Sequence, residues 1–133
     1  MTAIIDKIAW IHIENGRVLG ARSKGKSSFY IPGGKRDPGE TDQETLIREI
    51  QEELSVQIKP DTIVHFGTFV ATADGKAAGT QVQMTCYYAD YEGELCPASE
   101  IEELAWLTHA DRDQVSPATQ MILDHLYNIN KLS

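Results

Sequence analysis

The chain has 133 residues, of which 41% are hydrophobic and 24% are charged, and its formal net charge is −8. This length and composition predict one globular domain around one core. The negative charge argues against a broad surface for DNA or long RNA, because such surfaces need clustered Lys and Arg. It leaves a small phosphorylated ligand open, since a bound divalent cation reverses the local sign of a site.

The first ten residues, MTAIIDKIAW, lack a basic region followed by a long apolar run. No apolar stretch approaches the roughly 20 residues that are needed to span a bilayer. Cys86 and Cys96 do not have CxxC spacing, and we expect two reduced thiols. These features predict a cytoplasmic protein that has no membrane partner.

The first part of the chain predicts a β-hairpin followed by a glycine-rich turn. Apolar and polar residues alternate over residues 7–14, which indicates a strand. Asn15-Gly16 is a two-residue hairpin signal before a return strand at 17–22. We then expect a polar loop at 23–28, a short strand at 29–31 that stops at Pro32-Gly33-Gly34, and a turn-rich loop at 35–40.

Several cues agree on a helix that begins after Thr41. Thr41 is a candidate N-cap, and Glu44 completes a capping box with it. Asp42 and Glu44 also suit the positive end of the helix dipole. An apolar stripe predicts a helix that ends near residue 54 or 55, and its members are Leu46, Ile47, Ile50 and Leu54.

The second half of the chain predicts three strands and a second helix. The strands are expected at 62–72, 80–91 and 103–108, with a turn at Asp74-Gly75 and a loop at 92–100. Ser116 is a candidate N-cap for a helix at 117–129, and Pro117 suits its first position. A mixed sheet with at least two helices places the fold in the α/β or α+β class.

The segment REIQEE at 48–53 places three glutamates on one face of the first helix. Glu49, Glu52 and Glu53 have i, i+3 and i+4 spacing, and like charges at this spacing destabilise an isolated helix by a few tenths of a kcal/mol per pair. One interpretation is a solvated acidic face. The other is a carboxylate cluster that binds a hard divalent cation such as Mg²⁺ or Mn²⁺.

The surrounding sequence favours the second interpretation. Residues 34–56 read GKRDPGETDQETLIREIQEELSV, which resembles the signature of the Nudix hydrolase family. Ser55 departs from that signature, because the family usually has glycine there. Glycine allows a left-handed turn, and serine in that conformation costs about 1 kcal/mol. The residues that fit are Gly34, Glu40, Arg48, Glu49, Ile50, Glu52, Glu53 and Val56.

The resemblance implies a Nudix fold, in which a mixed β-sheet is sandwiched between α-helices. It implies a single Nudix domain over residues 1–133 with its signature at 34–56. The implied activity is hydrolysis of a phosphoanhydride in a nucleoside diphosphate that is linked to another group, with Mg²⁺ as cofactor and Mn²⁺ as an alternative. A bound metal ion would neutralise charge on the pyrophosphate.

The resemblance also implies roles for residues of the signature. Glu52 and Glu53 are the expected metal ligands, and Glu49 is either a third ligand or the base that activates water. A backbone carbonyl near Gly33 adds an oxygen ligand. Arg48 and Glu40 are expected to orient the glutamates and balance their charge. The predicted catalytic set is therefore Glu40, Arg48, Glu49, Glu52 and Glu53, and the predicted metal set is Gly33, Glu49, Glu52 and Glu53.

By the same resemblance, the expected substrate-binding residues are Arg22, Lys35, Gly34 and Glu103. Some family members recruit a base from a later loop, and Glu103 is the candidate here, beside Glu100 and Glu102. An ordinary surface role stays open for each of these acids and for Arg22 and Lys35. Weaker candidates are Phe29 and Tyr30, for stacking or for the core, and Asp111 and Asp113, for facing the substrate's base.

The substrate class is the least specified part of the resemblance. Residues 70–75, VATADG, carry neither the Pro of many ADP-ribose hydrolases nor the Tyr of dinucleoside polyphosphate hydrolases. We expect a nucleoside triphosphate pyrophosphatase that acts on a (d)NTP. Hydrolysis of a nucleotide sugar or an ADP-ribose type of compound is the alternative, and a non-catalytic nucleotide sensor is an alternative of another class. The expected partner is a small nucleotide, and a homodimer stays open.

Overall fold

The computed structural model describes residues 3–72 and 79–133. The helices are α1 (Asp42–Leu54) and α2 (Pro117–Asn128), with short 3₁₀ helices at Pro60–Thr62 and His109–Gln114. The strands are β1 (Ala3–Ile11), β2 (Ile13–Glu14), β3 (Arg17–Ser23), β4 (Gly33–Gly34), β5 (Gln57–Ile58), β6 (Val64–Thr72), β7 (Thr80–Tyr88), β8 (Tyr91–Glu92) and β9 (Ile101–Leu107). In this part of the chain no helix is long and apolar enough to cross a membrane.

The main sheet has the strand order β4-β1-β7-β6. β1 and β7 run parallel, whereas β1 with β4 and β6 with β7 are antiparallel pairs. Two smaller sheets, β2-β3-β9 and β5-β8, flank it. The predicted mixed sheet with two helices is therefore confirmed.

The two helices cover opposite faces of the main sheet. Successive strand residues point to opposite faces, so Ile8 and Trp10 of β1 belong to a buried cluster with Leu46, Ile50 and Leu54 of α1. Ala9 and Ile11 belong to the other cluster, which includes residues of α2: Ala118, Ile122, Leu123 and Leu126. The sheet is thus sandwiched between helices, as the Nudix resemblance implied.

The predicted hairpin is confirmed, although its first strand is divided. Asn15 and Gly16 both have positive φ, 54° and 76°, as a tight two-residue hairpin turn requires. β1 begins at Ala3 rather than at residue 7, and it ends at Ile11. The interruption falls at His12 because the chain leaves its partner β7 in the main sheet and joins β3 in a smaller sheet.

The segment before α1 differs from the prediction. Residues 29–31 make only isolated bridges, Tyr30 with Ala21 and Phe29 with Val115. Gly33–Gly34, which we expected to stop a strand, instead pair with Ile8 and Ala9 of β1. A Cβ on Gly33 would lie 1.9 Å from the carbonyl oxygen of Ile8, so only glycine permits this close backbone approach.

The remaining boundaries differ by a few residues. Residue 62 belongs to a 3₁₀ helix that starts at Pro60, and β6 begins two residues later. β7 ends at Tyr88, and Tyr91 pairs with β5 instead. The 3₁₀ helix at His109–Gln114 was not predicted. The predicted turn at Asp74-Gly75 lies outside the described residues.

Candidate active site

α1 starts and ends where the sequence predicts. The Thr41 hydroxyl accepts a hydrogen bond from the Glu44 amide at 3.2 Å, and the Glu44 carboxylate accepts one from the Thr41 amide at 2.9 Å. This is the predicted capping box. Ser55 caps the other end with φ 66° and ψ 19°, the left-handed conformation in which the family usually has glycine. The helix therefore presents the three glutamates of REIQEE in a defined register.

Glu53 and Glu49 lie against the Gly33–Gly34 segment. Glu53 is only 5% exposed, and its Oε1 accepts a hydrogen bond from the Gly33 amide at 3.0 Å. Glu49 is half-buried, and a Cβ on Gly34 would lie 2.3 Å from its carboxylate carbon. The two glycines thus make room for two carboxylates beside the backbone of β4. Glu52, in contrast, is exposed.

Burial strongly affects the ionisation of these two carboxylates. Desolvation raises the pKa of Glu53 to about 8, although the hydrogen bond from Gly33 opposes the shift, and the charge of Glu49 adds to it. Desolvation also raises the pKa of Glu49, against the opposing effect of Arg48. Two partly desolvated carboxylates that repel each other would both be stabilised in their charged form by a divalent cation.

Arg48 links the glutamates to the loop that precedes α1. Its guanidinium donates to Glu40 from Nε at 2.7 Å and from Nη2 at 2.8 Å, a bidentate pair. Nη1 donates to Glu49 Oε1 at 2.9 Å, and Nη2 also donates to the Lys35 carbonyl at 3.0 Å. The pKa of Glu40 is lowered to about 2, chiefly by Arg48 and then by the Asp37 amide. Arg48 therefore contacts both Glu40 and Glu49, and the orienting role that the resemblance implies for Arg48 and Glu40 stays a prediction.

The carboxylates fit a hard divalent cation by their chemistry. Over residues 3–72 and 79–133, no three acidic, imidazole or thiol side chains form a ready-made metal cluster. In this conformation Glu49 and Glu52 contact Arg48, and Glu53 contacts the Gly33 amide. The available donors are all carboxylate and carbonyl oxygens, the ligands that Mg²⁺ and Mn²⁺ prefer. The predicted roles of Glu49, Glu52, Glu53 and the Gly33 carbonyl as metal ligands stay predictions.

The predicted substrate-binding residues do not all lie together. Gly34 is in the site beside Glu49. Arg22 instead donates to Glu103 at 3.0 Å and to Glu102 at 3.3 Å, so its charge is largely balanced by two acids. Glu103 is therefore Arg22's ion-pair partner in this conformation. Lys35 is exposed, and only its carbonyl contacts Arg48.

Glu100 lies near the candidate site. Nothing in the sequence favoured it over Glu102 and Glu103. Its charge contributes to the raised pKa of Glu53, whereas Glu102 and Glu103 face Arg22. Tyr30, a weaker candidate in the sequence, is also near the site, because the charges of Glu53, Glu100 and Glu49 all act on its hydroxyl. The position of Glu100, just before β9, groups it with Glu102 and Glu103 in the sequence. That it acts on Glu53 rather than pairing with Arg22 depends on tertiary contacts.

Asp111, one of the weaker candidates, has a structural partner, and so do two histidines. Asp111 accepts a hydrogen bond from the Thr108 amide at 2.8 Å and so caps a 3₁₀ helix. The ring of His12 stacks on Trp10, with centroids 4.8 Å apart, and that of His109 stacks on Tyr127 at 4.2 Å. Cys86 and Cys96 are both free thiols, as predicted.

Comparison with known proteins decides the family. A sequence model of the NUDIX domain matches residues 7–125 of this chain. The chain belongs to the NUDIX domain family. Nudix hydrolases act on phosphorus-containing acid anhydrides, so the predicted family and class of enzyme are both confirmed.

Individual relatives resemble this Nudix protein over most of its length. It is 26% identical to the CTP pyrophosphohydrolase of Escherichia coli over 128 residues, which cover 91% of this chain and 90% of that protein. It is 26% identical to an RNA pyrophosphohydrolase of Yersinia enterocolitica over 71% of this chain and 63% of that one. The crystal structure of a MutT NUDIX hydrolase from Burkholderia pseudomallei superposes with a TM-score of 0.73 at 21% identity, covering 91% of this chain and 96% of that chain.

Proposed function

We propose that this Nudix hydrolase is a Mg²⁺-dependent nucleoside triphosphate pyrophosphohydrolase that converts a (d)NTP to the monophosphate and pyrophosphate. The observation that carries the proposal is the pair of partly desolvated carboxylates, Glu49 and Glu53, against Gly33–Gly34. The similarity to the CTP pyrophosphohydrolase of Escherichia coli along nearly the whole chain supports a nucleoside triphosphate as substrate.

The chemistry is the addition of water across one phosphoanhydride bond. The water oxygen forms a bond to phosphorus, the bridging phosphorus–oxygen bond breaks, and pyrophosphate leaves. Arg48 holds Oε1 of Glu49, and we assign Oε2 of Glu49 as the acceptor of the water's proton. Glu53 and Glu52 would hold the cation, which when bound neutralises charge on the polyphosphate and polarises its phosphorus–oxygen bonds.

Three alternatives make different predictions. A nucleotide sugar or an ADP-ribose type of substrate has the same anhydride, but it carries a second organic group in place of the terminal phosphate. A non-catalytic sensor would bind a nucleotide without turnover, and the complete set Glu49, Glu52 and Glu53 argues against that role. Hydrolysis of triphosphorylated RNA ends is disfavoured by the net charge of −8.

A substrate panel with matched variants tests the proposal. The protein would be incubated with Mg²⁺ and common and oxidised (d)NTPs, ADP-ribose, nucleotide sugars, dinucleoside polyphosphates and a triphosphorylated oligonucleotide. The Glu53→Gln variant should lose more than about tenfold in turnover, or 1.4 kcal/mol of transition-state stabilisation. Glu94→Gln, which makes the same change at an exposed position, is the control.

The products separate the outcomes. Release of pyrophosphate and monophosphate from a (d)NTP, lost in Glu53→Gln and retained in Glu94→Gln, supports the proposal. If ADP-ribose or a nucleotide sugar is hydrolysed in preference to every (d)NTP, the substrate belongs to the alternative class and the triphosphate proposal is rejected. Nucleotide binding without any turnover by the folded, Mg²⁺-saturated protein rejects the enzyme activity in favour of the sensor.

A further inference from the structure

The segment Ser23–Lys24–Gly25–Lys26 forms a tight turn at the end of β3. The Lys26 amide donates to the Ser23 carbonyl at 3.1 Å, which closes the turn. Gly25, its third residue, has φ of 78°, a value that glycine adopts without strain. The Lys26 carbonyl also accepts a hydrogen bond from Arg22 Nη1 at 2.9 Å. The backbone of Lys26 is therefore held by two hydrogen bonds, one through its amide and one through its carbonyl.

Two contacts attach this turn to the candidate active site. The Lys24 amide donates to the Glu100 carbonyl at 2.8 Å, and Glu100 acts electrostatically on Glu53. The hydroxyl oxygens of Ser23 and Tyr30 lie 2.7 Å apart, and the charges of Glu53 and Glu49 both act on Tyr30. Ser23 and Lys24, the first two residues of the turn, are therefore hydrogen-bonded to Tyr30 and Glu100. Both of these residues interact with the proposed catalytic carboxylates.

The turn presents two exposed ammonium groups on a chain of net charge −8. Lys24 and Lys26 are both exposed, and in the described part of the chain neither has an ion pair. Arg22, the nearest cation on β3, is held by Glu102 and Glu103 and is less available to an anion. Lysine binds phosphate as a flexible point charge. Two lysines beside an acidic site would offset its repulsion of a polyphosphate.

We propose that the turn at residues 23–26 binds the terminal phosphates of the substrate through Lys24 and Lys26, and that these lysines, rather than Arg22, determine the preference for a triphosphate. This inference rests on the proposed pyrophosphohydrolase function and specifies its substrate-binding residues. The hydroxyl pair of Ser23 and Tyr30 and the Glu100 carbonyl position the turn. A (d)NTP is preferred over a nucleotide sugar because it ends in phosphates. A substrate that ends in a sugar has no terminal phosphate for the lysines to bind.

Binding of inorganic tripolyphosphate tests the inference without turnover. Isothermal titration calorimetry in EDTA would compare the wild-type protein with the Lys24→Gln/Lys26→Gln double variant. The control is Lys59→Gln/Lys131→Gln, which removes the same charge from two exposed lysines outside the turn. We expect the dissociation constant to rise about tenfold or more in the first double variant and less than about threefold in the control. Only the first should reduce the salt dependence of binding.

Kinetics with the Mg²⁺-loaded enzyme then test the preference. In the turn variant, KM for a (d)NTP should rise about tenfold while kcat changes much less, because the lysines would hold the terminal phosphates in the ground state as well as in the transition state. KM for a nucleotide sugar should change by less than about threefold. Equal losses for both substrates, or equal weakening of tripolyphosphate binding in both double variants, would overturn the inference.

The two proposals fail in different ways. If the wild-type protein binds tripolyphosphate through Lys24 and Lys26 but hydrolyses no (d)NTP, the phosphate-binding turn is supported and the proposed pyrophosphohydrolase activity is rejected. If it hydrolyses a (d)NTP and the turn variant keeps wild-type KM and tripolyphosphate affinity, the activity is supported and the turn has no role in phosphate binding.

Discussion

Arg48 holds Glu40 through two parallel hydrogen bonds of 2.7 and 2.8 Å, and the same guanidinium holds Glu49 at 2.9 Å. The loop before α1 and the proposed catalytic carboxylate are therefore joined through one planar group. A lysine has three donors on one nitrogen but no planar fork, so it cannot make the bidentate pair with Glu40 and hold Glu49 in the same geometry. The orientation of Glu49 should depend on this geometry, and not only on a positive charge.

We therefore expect Arg48→Lys to lower kcat by about 10–100-fold, which is typical of groups that orient a metal or catalytic ligand. KM should change much less, because no substrate contact is lost. Steady-state kinetics and circular dichroism would check both points, with the exposed Arg17→Lys as the matched control. Retention of wild-type kcat would show that charge at this position is sufficient.

Ser55 offers a stabilising substitution. It has φ of 66°, and a non-glycine residue in this conformation is strained, whereas glycine is not. Ser55→Gly also loses the hydrogen bond from the Ser55 hydroxyl to the Cys96 carbonyl at 3.2 Å. We expect a net gain of about 0.5–1 kcal/mol in the free energy of unfolding.

Chemical denaturation would measure this gain. Ser27→Gly is the control, since Ser27 is exposed and does not have positive φ. That substitution should be neutral or slightly destabilising because glycine adds freedom to the unfolded chain. Equal effects of the two substitutions would contradict a strained helix end at Ser55.

The two thiols should differ in reactivity. Cys96 is exposed, whereas Cys86 is fully buried in the main sheet and burial raises its pKa to about 12. Because the thiolate is the reactive form, a thiol reagent at pH 8 should label one cysteine in the native protein and two after denaturation. Cys96→Ser should abolish the native reaction. Rapid labelling of both thiols in the native protein would disagree with the packing of β7.

An ion pair near the C-terminus should make stability depend on pH. Arg112 donates to Asp124 at 3.0 and 3.1 Å, and this contact, with a smaller one from His109, lowers the pKa of Asp124. Since the folded pKa lies below the unfolded value, the pair stabilises the protein above the unfolded pKa. The stabilisation is lost as the pH falls through the folded pKa.

Asp124→Asn should therefore lower Tm at pH 7 and have progressively less effect as the solution becomes more acidic than pH 4. Thermal melts from pH 3 to pH 8 would measure the difference between variant and wild type. Asp113→Asn is the control, because Asp113 is exposed and contributes only a minor charge effect on Arg112. If the difference in Tm between Asp124→Asn and wild type did not change with pH, the ion pair between Arg112 and Asp124 would contribute nothing to stability.

Much of the site was predictable because its signals are local. Spacing along α1 places Glu49, Glu52 and Glu53 on one face, and the capping box between Thr41 and Glu44 sets where the helix begins. These features depend on residues within one or two turns of each other. The NUDIX family could also be recognised from residues 34–56, since its signature lies within one continuous segment.

The tertiary structure decided what those residues contact. No local rule predicts that Gly33 pairs with β1, or that its amide then binds Glu53 twenty positions away. In the same way, the pairing of β3 with β9 places Glu103 beside Arg22 and so reduces the availability of a predicted phosphate ligand. The sequence by itself determined the family and the register of the acidic helix. Burial, which shifts the pKa of Glu53, and ion pairing, which engages Arg22, arise only when distant segments meet.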